Sequence, residues 1–460
     1  APSVIVSGLQ ELFPQMDICK LDYTKGFDLL DTRRAAFELM ANQYHNSDTF
    51  YNTLKKYFAS DARYLAVKQI AQNEDVHINN RDTAAQLFHK DMQVSASRIE
   101  DYYNCPYRYF CKFGLGARPR MCAEINPMER GTLIHYVLEQ ILSQVGSKAL
   151  SQYSREQIRT LVDTRINEYF TLKMGNPQDV SERFTYNFRR LSKMIVDVVC
   201  RLASEFSVCD FEAKAFELPI GETGAVKPTV IELENGGSLR IRGSIDRVDV
   251  LKKDGQQYVR IVDYKSGAKA FKLCDIVHGL NLQMFVYLFN LCRDTDCSLS
   301  GIPAGVLYMH SARAVLSVDH KQDIQQQMQK QEDDSFRMNG IIFTNDDDSV
   351  VQAMEHDLAG KYIPVSLTRK GDLAGSLATF EELGLLEEKI NRLVAEMGNA
   401  LLSGRIAQHP VQSKTHNKTC DYCDYASVCS MKKGITPRCF EEEKDDAVLA
   451  ALRKEGESDA

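Results

Sequence analysis

Two carboxylates and a lysine in the middle of the chain have the types and spacing of a catalytic metal site. Asp263 and Lys265 are two residues apart on a predicted strand, so both side chains lie on one face while Tyr264 points to the other. A preceding predicted strand supplies Asp246. Carboxylate oxygens are the ligands that hard divalent cations prefer. The pattern therefore predicts Mg²⁺ (or Mn²⁺) held by Asp246 and Asp263, with an ammonium group beside it.

The chemistry that such a site could perform is hydrolysis of a phosphodiester. A bound cation holds a nonbridging oxygen and lowers the pKa of an attacking water. Lys265 would lie near that water, and the backbone carbonyl of Tyr264 is a further candidate ligand. His135, on a predicted helix, could complete the ligand set. Gln283 and Tyr287 are four residues apart on one face of the next predicted helix, where they could position phosphate or the lysine.

The elements that must position these residues are a hairpin and two helices. Residues 238–251 and 258–265 alternate as strands, and Asp254-Gly255 between them is a strong hairpin turn. Helices are predicted over residues 131–145 and 274–292. Each signal alone is weak, because an Asp-x-Lys pair at a strand end is more often a surface pair than a catalytic one. The order helix, strand, strand, helix makes a chance match far less frequent.

Other segments organise the rest of the chain. Ser97 and Glu100 form a capping box that predicts a short helix ending at Cys105-Pro106. Further predicted elements are helices within 31–46, 50–58 and 380–402, and a strand over 304–309. We expect a helical segment over 1–95, the end of a preceding region of a longer chain, then a domain over 96–435. Residues 436–460 are expected to form a charged, frayed tail.

The composition is that of a globular protein. The chain has 460 residues, of which 26% are charged and 44% hydrophobic, enough for two or three packed units. There is no run of eighteen uncharged apolar residues and no basic leader before an apolar run, so we expect a cytoplasmic protein without a membrane partner. The net charge of −7 counts against nucleic acid, yet a basic cluster follows the short helix. Its members, the candidate DNA-binding residues, are Arg108, Lys112, Arg118 and Arg120.

Cysteine is the other unusual feature of the composition. Thirteen cysteines without an export signal argue against a disulfide framework and for thiols that are buried or bound to metal. Cys420, Cys423 and Cys429 have the spacing C-x₂-C-x₅-C, and three thiolates leave a metal site one ligand short. Zinc and an iron–sulfur cluster both accept such ligands.

Four segments resemble the motifs of the PD-(D/E)XK nuclease superfamily in its RecB-like branch. They are Gly131–His135, Ile241–Asp249, Ile261–Gly267 and Gln283–Tyr287. The resemblance implies an α/β fold with a restriction-endonuclease-like core, a central mixed β-sheet flanked by helices, and helical N-terminal and insert segments. It also implies a metal-dependent DNA nuclease with the roles given above for His135, Asp246, Asp263, Lys265, Gln283 and Tyr287. The first carboxylate stands in Gly-Ser-Ile-Asp rather than Pro-Asp.

Residues 102–110 resemble the segment that opens the nuclease domain of AddB-type helicase–nuclease proteins. That resemblance implies a [4Fe–4S] cluster on Cys105, Cys420, Cys423 and Cys429, with zinc the less favoured occupant and Cys111 a substitute for Cys105. It further implies a role in resecting double-strand breaks with an AddA-type partner, through cleavage of single-stranded DNA. No phosphate-binding loop for ATP occurs, since residues 221–227 have the wrong spacing. A stand-alone CRISPR-associated RecB-like exonuclease and an idle DNA-binding and docking module are the alternatives.

Overall fold

The computed structural model describes residues 8–9, 11–15, 30–44, 46–72, 76–118, 127–174, 182–234, 236–265, 271–310, 337–345, 348–413, 419–429 and 437–459. The chain forms two compact units. One comprises Ala1–Val76 with Ser430–Ile435, and the other comprises His77–Cys429 with Thr436–Ala460. Residues 77–95 thus belong with the larger unit, whereas the sequence places a boundary after residue 95. No helix in the described part of the chain is long and apolar enough to cross a membrane.

Helices make up most of the described residues of the smaller unit after residue 30. They are α1 (Arg33–Asn42), α2 (Thr49–Tyr57) and α3 (Ala62–Gln72). The hydroxyl of Thr32 caps α1 by accepting a hydrogen bond from the backbone N–H of Ala35. Phe37, Met40, Leu54 and Phe58 are among the residues of its buried cluster. The helices predicted within 31–46 and 50–58 are confirmed.

A mixed sheet forms the centre of the larger unit. Within the described residues its strands, numbered along the chain, lie in the spatial order β11 (Leu377–Ala378), β8 (Asn339–Phe343), β7 (Ile302–His310), β6 (Gln256–Lys265), β5 (Gly243–Lys253) and β2 (Glu212–Ile220). The pairs β6–β7 and β8–β11 are parallel and the others antiparallel. Asp254 and Gly255, both with positive φ, form the predicted hairpin turn between β5 and β6.

Helices cover both faces of this sheet. The α-helices in the described part of the larger unit are α4 (Arg81–Phe88), α5 (Ala96–Asn104), α6 (Pro106–Tyr109), α7 (Pro127–Val145), α8 (Ser147–Leu150), α9 (Arg155–Met174), α10 (Glu182–Phe206), α11 (Leu273–Val277), α12 (Gln283–Arg293), α13 (Ser349–Gln352), α14 (Phe380–Leu402), α15 (Ala426–Cys429) and α16 (Asp445–Asp459). Side chains of α7, α9 and α10 share one buried cluster with Val262, Tyr264 and Leu307. On the other face Phe285 of α12 contacts Phe343 of β8. The mixed sheet flanked by helices is the fold that the resemblance implied.

Short strands complete the described structure. One small sheet has the order β1 (Asp91–Val94), β4 (Gly237–Ile241) and β3 (Val230–Leu233). Two further pairs are β9 (Val365–Leu367) with β10 (Leu373–Gly375), and β12 (Val411–Gln412) with β13 (Arg438–Cys439). The strand predicted over 238–251 is therefore two strands in different sheets, and they are separated at Arg242.

Three other predictions need correction. Ser95, not Ser97, caps α5 by accepting from the N–H of Arg98, so the predicted capping box is wrong. The helix predicted over 274–292 is two helices, because Gly279 and Asn281 adopt positive φ between them. The last segment is not frayed, since α16 buries the apolar side chains of Val448, Leu449 and Leu452.

Candidate active site

Carboxylates form a row across adjacent strands at one end of the central sheet. The β5–β6 register pairs Arg247 with Val262, so the next pair along is Asp246 with Asp263. The β2–β5 register pairs Phe216 with Arg247 and Leu218 with Ile245, which sets Glu217 opposite Asp246. Cross-strand neighbours point to the same face of a sheet. The predicted pair of carboxylates is therefore brought together, and a third joins it.

His135 reaches this row from α7. Its Nδ1 lies 3.2 Å from Oε1 of Glu217 and 3.5 Å from Oδ2 of Asp246, while Nε2 lies 3.1 Å from the backbone oxygen of Tyr264. Burial disfavours the imidazolium, but the hydrogen bond to Glu217 and the charge of Asp246 outweigh it and raise the pKa of His135 to about 9. His135, Glu217 and Asp246 offer ligand atoms that all lie within 4.8 Å of one another.

Burial and a neighbouring negative charge both affect the pKa of Asp246. Burial first, and then the neighbouring charge of Asp263, raise the pKa of Asp246 to about 7. A hydrogen bond from the backbone N–H of Tyr264, 3.0 Å long, opposes this and fixes Oδ2 of Asp246 in place. Two buried carboxylates side by side need a positive charge to be stable in ionised form. This end of the sheet therefore favours a cation.

Glu217 is the residue that sequence reasoning missed. It lies in β2 with a φ of 44°, a backbone conformation that non-glycine residues rarely adopt. Its Oε2 accepts a hydrogen bond from the hydroxyl of Ser244, 3.0 Å away, and the hydrogen bond from His135 lowers the pKa of its carboxyl. No short motif surrounds it in the sequence. The available signal was an acid between two apolar residues of a strand, Phe216-Glu217-Leu218.

Lys265 is held on three sides. Its Nζ lies 2.6 Å from Oδ2 of Asp263, 3.2 Å from Oε1 of Gln283, and 5.7 Å from the centre of the Tyr308 ring. Tyr308 is the β7 partner of Asp263, so the ring continues the carboxylate row. These contacts place the ammonium group at the end of β6, beside the carboxylates, as the sequence predicts.

Tyr287 packs against Gly243, the first residue of β5. A Cβ atom added at Gly243 would overlap the phenol ring of Tyr287, so glycine is required there. Burial, and then the charges of Asp246 and Asp263, raise the pKa of Tyr287 to about 12, which keeps its hydroxyl protonated. Gln283 and Tyr287 thus lie on one face of α12, turned toward the strands that carry the carboxylates.

A fully buried set of charges underlies the same strands on the opposite face. Arg260 contacts Asp249 at 2.9 Å and Glu205 at 2.7 Å, and Arg247 contacts Asp249 at 2.7 Å. Arg247 also donates a hydrogen bond of 3.4 Å to the hydroxyl of Tyr264. The set carries two positive and two negative charges, so it is neutral overall. It ties α10 to β5 and β6 directly beneath Asp246 and Asp263.

The carboxylate row opens into a cleft of about 720 Å³. Asp246, Asp263, Lys265 and Gln283 line one part of it, and His135 and Glu139 of α7 line another. Burial, and then the charge of Glu217, raise the pKa of Glu139. A substrate that enters this cleft contacts acidic, basic and amide groups together, and metal-assisted hydrolysis uses this combination of groups.

The four predicted cysteine ligands come together in the larger unit. Cys105 is buried at the end of α5, and burial together with the neighbouring Cys420 and Cys423 raises the pKa of its thiol. Burial, and then Cys105, Cys420 and Cys423, raise the pKa of Cys429 to about 12. The nearby Cys111 also contributes to the raised pKa of Cys429. Among the described residues, no three cysteine sulfurs lie within 4.8 Å of one another.

Hydrogen bonds from side chains to backbone carbonyls hold the loop that carries Cys420, Cys423 and Cys429. The hydroxyl of Tyr425 donates to the carbonyl of Ala117, 2.8 Å away, and Gln408 donates to the carbonyl of Cys429 at 3.1 Å. The loop is thus attached to the segment that follows Cys105. Cys19 and Cys122 lie outside the described residues.

The predicted basic cluster is partly neutralised. Arg108 and Lys112 both contact Asp101, at 3.3 Å and 2.6 Å. Arg118 is exposed, and Arg120 lies outside the described residues.

Comparisons with known proteins show which proteins the chain is similar to. The chain is 29% identical over 392 residues to an ATP-dependent helicase/deoxyribonuclease subunit from Acetivibrio thermocellus, a match covering 82% of this chain and 34% of that protein. It is 26% identical over 489 residues to the protein of the same name from Clostridium novyi, covering 99% of this chain and 42% of the relative. The protein of that name from Ruminiclostridium cellulolyticum is 29% identical over 469 residues, covering 95% and 40%.

The chain therefore spans well under half the length of these relatives. A family model described as the PD-(D/E)XK nuclease superfamily matches residues 93–430, which include every residue of the carboxylate row. That match extends over more than half of the chain. The protein belongs to the PD-(D/E)XK nuclease superfamily.

Proposed function

We propose that this chain is the nuclease portion of an AddB-type helicase–nuclease protein, and that it hydrolyses phosphodiester bonds of single-stranded DNA with a divalent cation. In the full protein an AddA-type subunit would be its partner in resecting double-strand breaks. The observation that carries the proposal is the row Glu217, Asp246 and Asp263, with His135 and Lys265 beside it in one cleft. The names of the relatives, helicase/deoxyribonuclease subunits, support the wider role.

The residues fit a divalent cation such as Mg²⁺ or Mn²⁺. Ligand atoms of Asp246, Glu217 and His135 lie within 4.8 Å of one another, and the carbonyl oxygen of Tyr264 is 3.1 Å from Nε2 of His135. Asp263 would join them as the cross-strand neighbour of Asp246. The raised pKa of Asp246 reflects its burial and the repulsion from the neighbouring carboxylate. A divalent charge offsets that repulsion, which makes the donor set suitable for it.

The protein groups then have separate tasks in the reaction. When bound, a divalent cation supplies a Lewis acid that polarises the phosphate and acidifies water. Lys265, held between Asp263 and Gln283, presents its ammonium group to the phosphate and offsets developing negative charge. Gln283 restricts the lysine to one position. Tyr287 keeps its proton and fixes the start of β5, and hence Asp246.

Cleavage of end-labelled single and double strands, with and without Mg²⁺, tests the proposal. A Lys265→Ala variant should cleave about 10²–10⁴-fold more slowly, the range for a positioned acid or base, while its folding is unchanged. Lys252→Ala is the matched control, because Lys252 is exposed near the other end of β5. Full activity in Lys265→Ala would contradict the assignment. DNA binding without any Mg²⁺-dependent product would identify an idle docking module instead.

The cysteine group supports a second part of the proposal, a [4Fe–4S] cluster on Cys105, Cys420, Cys423 and Cys429. Burial and the neighbouring cysteines raise the pKa of Cys105 and of Cys429, so a metal centre would be needed to stabilise these two thiols as thiolates. The gap of five residues between Cys423 and Cys429, and the distant fourth ligand Cys105, favour the cluster over zinc.

Anaerobic purification tests the cluster. The native protein should be brown and contain iron and sulfide, and Cys423→Ala should lose both the colour and much of its thermal stability, since metal binding of this kind contributes folding free energy. Cys439→Ala is the control, because that thiol is exposed. A colourless anaerobic preparation with one zinc per chain would refute the cluster.

A further inference from the structure

The cleft beside the carboxylate row has an aromatic wall with no assigned role. Tyr136 of α7 and Tyr169 of α9 both line the cleft, and their ring centroids are 5.2 Å apart at an angle of 52°. Tyr136 is the residue directly after His135, so the wall begins beside the carboxylate row. Both side chains are half-buried and pack against the core.

A lysine accompanies this wall. Lys173 also lines the cleft, and it stands four residues after Tyr169 on α9, so both project from one face of the helix. Lys173 is exposed, in contrast to the two tyrosines. An aromatic platform next to a cation is the combination that binds single-stranded nucleic acid, in which bases stack on rings and phosphates meet positive charge.

We propose that Tyr136 and Tyr169 form a stacking subsite for one nucleobase next to the scissile phosphate, and that Lys173 binds the adjacent phosphate. The inference rests on the proposed nuclease function and adds to it the part of the substrate that the cleft recognises. A base can lie on this wall only when it is unstacked from its neighbours, so the subsite selects single strands over duplex. Stacking uses the face common to all bases, so it imposes no sequence preference.

The rings have another, purely structural explanation, because both contribute to the edge of the buried core. The two explanations differ in what the DNA must contain. A structural role requires nothing of the bases, whereas a stacking subsite requires a base at one fixed distance from the cleaved bond. Oligodeoxythymidylates with a single abasic position, moved stepwise along the strand, separate them.

In the unaltered protein, one abasic position should weaken binding by about tenfold, the size of one stacked base, and the other positions should have little effect. Tyr169→Leu should remove that position-specific loss, because no ring remains to stack on, and Tyr169→Phe should preserve it. Tyr153→Leu is the matched control, since Tyr153 is half-buried against the same core but does not line the cleft. A flat abasic profile in the unaltered protein, or a loss that persists in Tyr169→Leu, overturns the proposal.

The salt dependence of DNA binding gives a second test, which uses lysine variants and does not require the tyrosine variants to fold. Lys173→Ala should lower the slope of log Kd against log salt by roughly 0.7, the value for one phosphate contact on a single strand. Lys193→Ala, an exposed lysine of α10 outside the cleft, should leave the slope unchanged. An unchanged slope in Lys173→Ala rejects the phosphate contact. Mg²⁺-dependent cleavage with a flat abasic profile refutes only the subsite, whereas absence of cleavage in every condition refutes the nuclease function itself.

Discussion

Glu217 and Asp246 lie opposite each other on β2 and β5, and both approach Nδ1 of His135, at 3.2 Å and 3.5 Å. Side chains from the two strands β2 and β5 thus lie close to one nitrogen atom of a side chain from α7. A histidine that is protonated holds the two carboxylates together, and a cation at the same place would replace the proton. The three side chains are therefore grouped around one point, and Glu217 contributes to this arrangement as much as Asp246 does.

Replacing Glu217 by Gln should weaken divalent cation binding by about tenfold or more, because the substitution removes a charge from the site while keeping its shape. Isothermal titration with Mn²⁺ would measure the change. Glu232→Gln is the control, since Glu232 is exposed on β3 in the other sheet. Equal Mn²⁺ affinity in Glu217→Gln and the unaltered protein would show that Glu217 only supports His135.

The stability of the metal-free protein should fall as the pH rises from about 5 to about 9. The pKa of Asp246 is raised from 3.8 to about 7, so the folded state holds this proton more tightly and loses the advantage as pH rises through 7. The pKa of His135 is raised from 6.5 to about 9, so its contribution is complete below 6.5 and disappears through 9. Urea unfolding in EDTA at several pH values would measure the trend.

Saturating Mg²⁺ should reverse this trend over the same range, because binding requires Asp246 ionised and His135 neutral, and affinity therefore rises with pH. Uptake of the cation should release protons into an unbuffered solution. His135→Gln should remove the part of the decline that lies between about pH 6.5 and 9. Stability that rises steadily with pH in EDTA would contradict the assigned environment of both groups.

The sequence predicted the elements whose signals are local. The turn Asp254-Gly255 needs two residues that tolerate positive φ, and the long helix α14 is capped by Thr379 and Glu382 next to an apolar periodic run. The split of residues 238–251 was not predictable in this way. Alternation continues through β4 and β5 alike, and period two contains no information on which sheet a strand joins.

The residues of the candidate site also differ in whether local spacing in the sequence predicts them. The spacings along the chain were enough to put Asp263 and Lys265 on one face of a strand, and Gln283 and Tyr287 on one face of a helix. Glu217 is 29 residues before Asp246 (246 minus 217), and only the β2–β5 register brings the two together. The break before α12 depends on Gly279, where a Cβ would overlap the Tyr103 ring of α5. Such long-range contacts leave no periodic trace in the sequence.

Gly243→Ala should destabilise the domain by about 1–3 kcal/mol, the usual cost of overpacking, because the new methyl group would overlap the phenol ring of Tyr287. Thermal unfolding would measure the loss. Tyr287→Ala alone also costs stability by removing a buried ring, but it makes room for the methyl group, so the double variant should lose less stability than the sum of the two single losses. Gly384→Ala is the control, since no atom lies within 4 Å of a Cβ at Gly384 in α14. Independent, additive effects of the two substitutions would rule out the predicted overlap.

The buried charges beneath the site should behave as one unit. Arg260→Leu leaves Asp249 and Glu205 with less compensation in a fully buried place, so it should cost about 3–5 kcal/mol of unfolding free energy. Adding Asp249→Leu removes a negative charge and leaves Arg247 with Glu205, 3.4 Å apart, as a neutral pair. The double variant should therefore lose less stability than the sum of the single variants.

Urea unfolding of both single variants and the double variant measures this coupling, which should reach about 0.5–3 kcal/mol for residues in contact. Arg240→Leu, at a partly exposed arginine of β4, gives the effect of the same substitution outside the buried set. Strictly additive losses would mean that each charge is compensated separately. Coupled losses would mean that neutrality of the whole set keeps α10 on the strands, and thereby keeps Asp246 and Asp263 at adjacent positions on the other face.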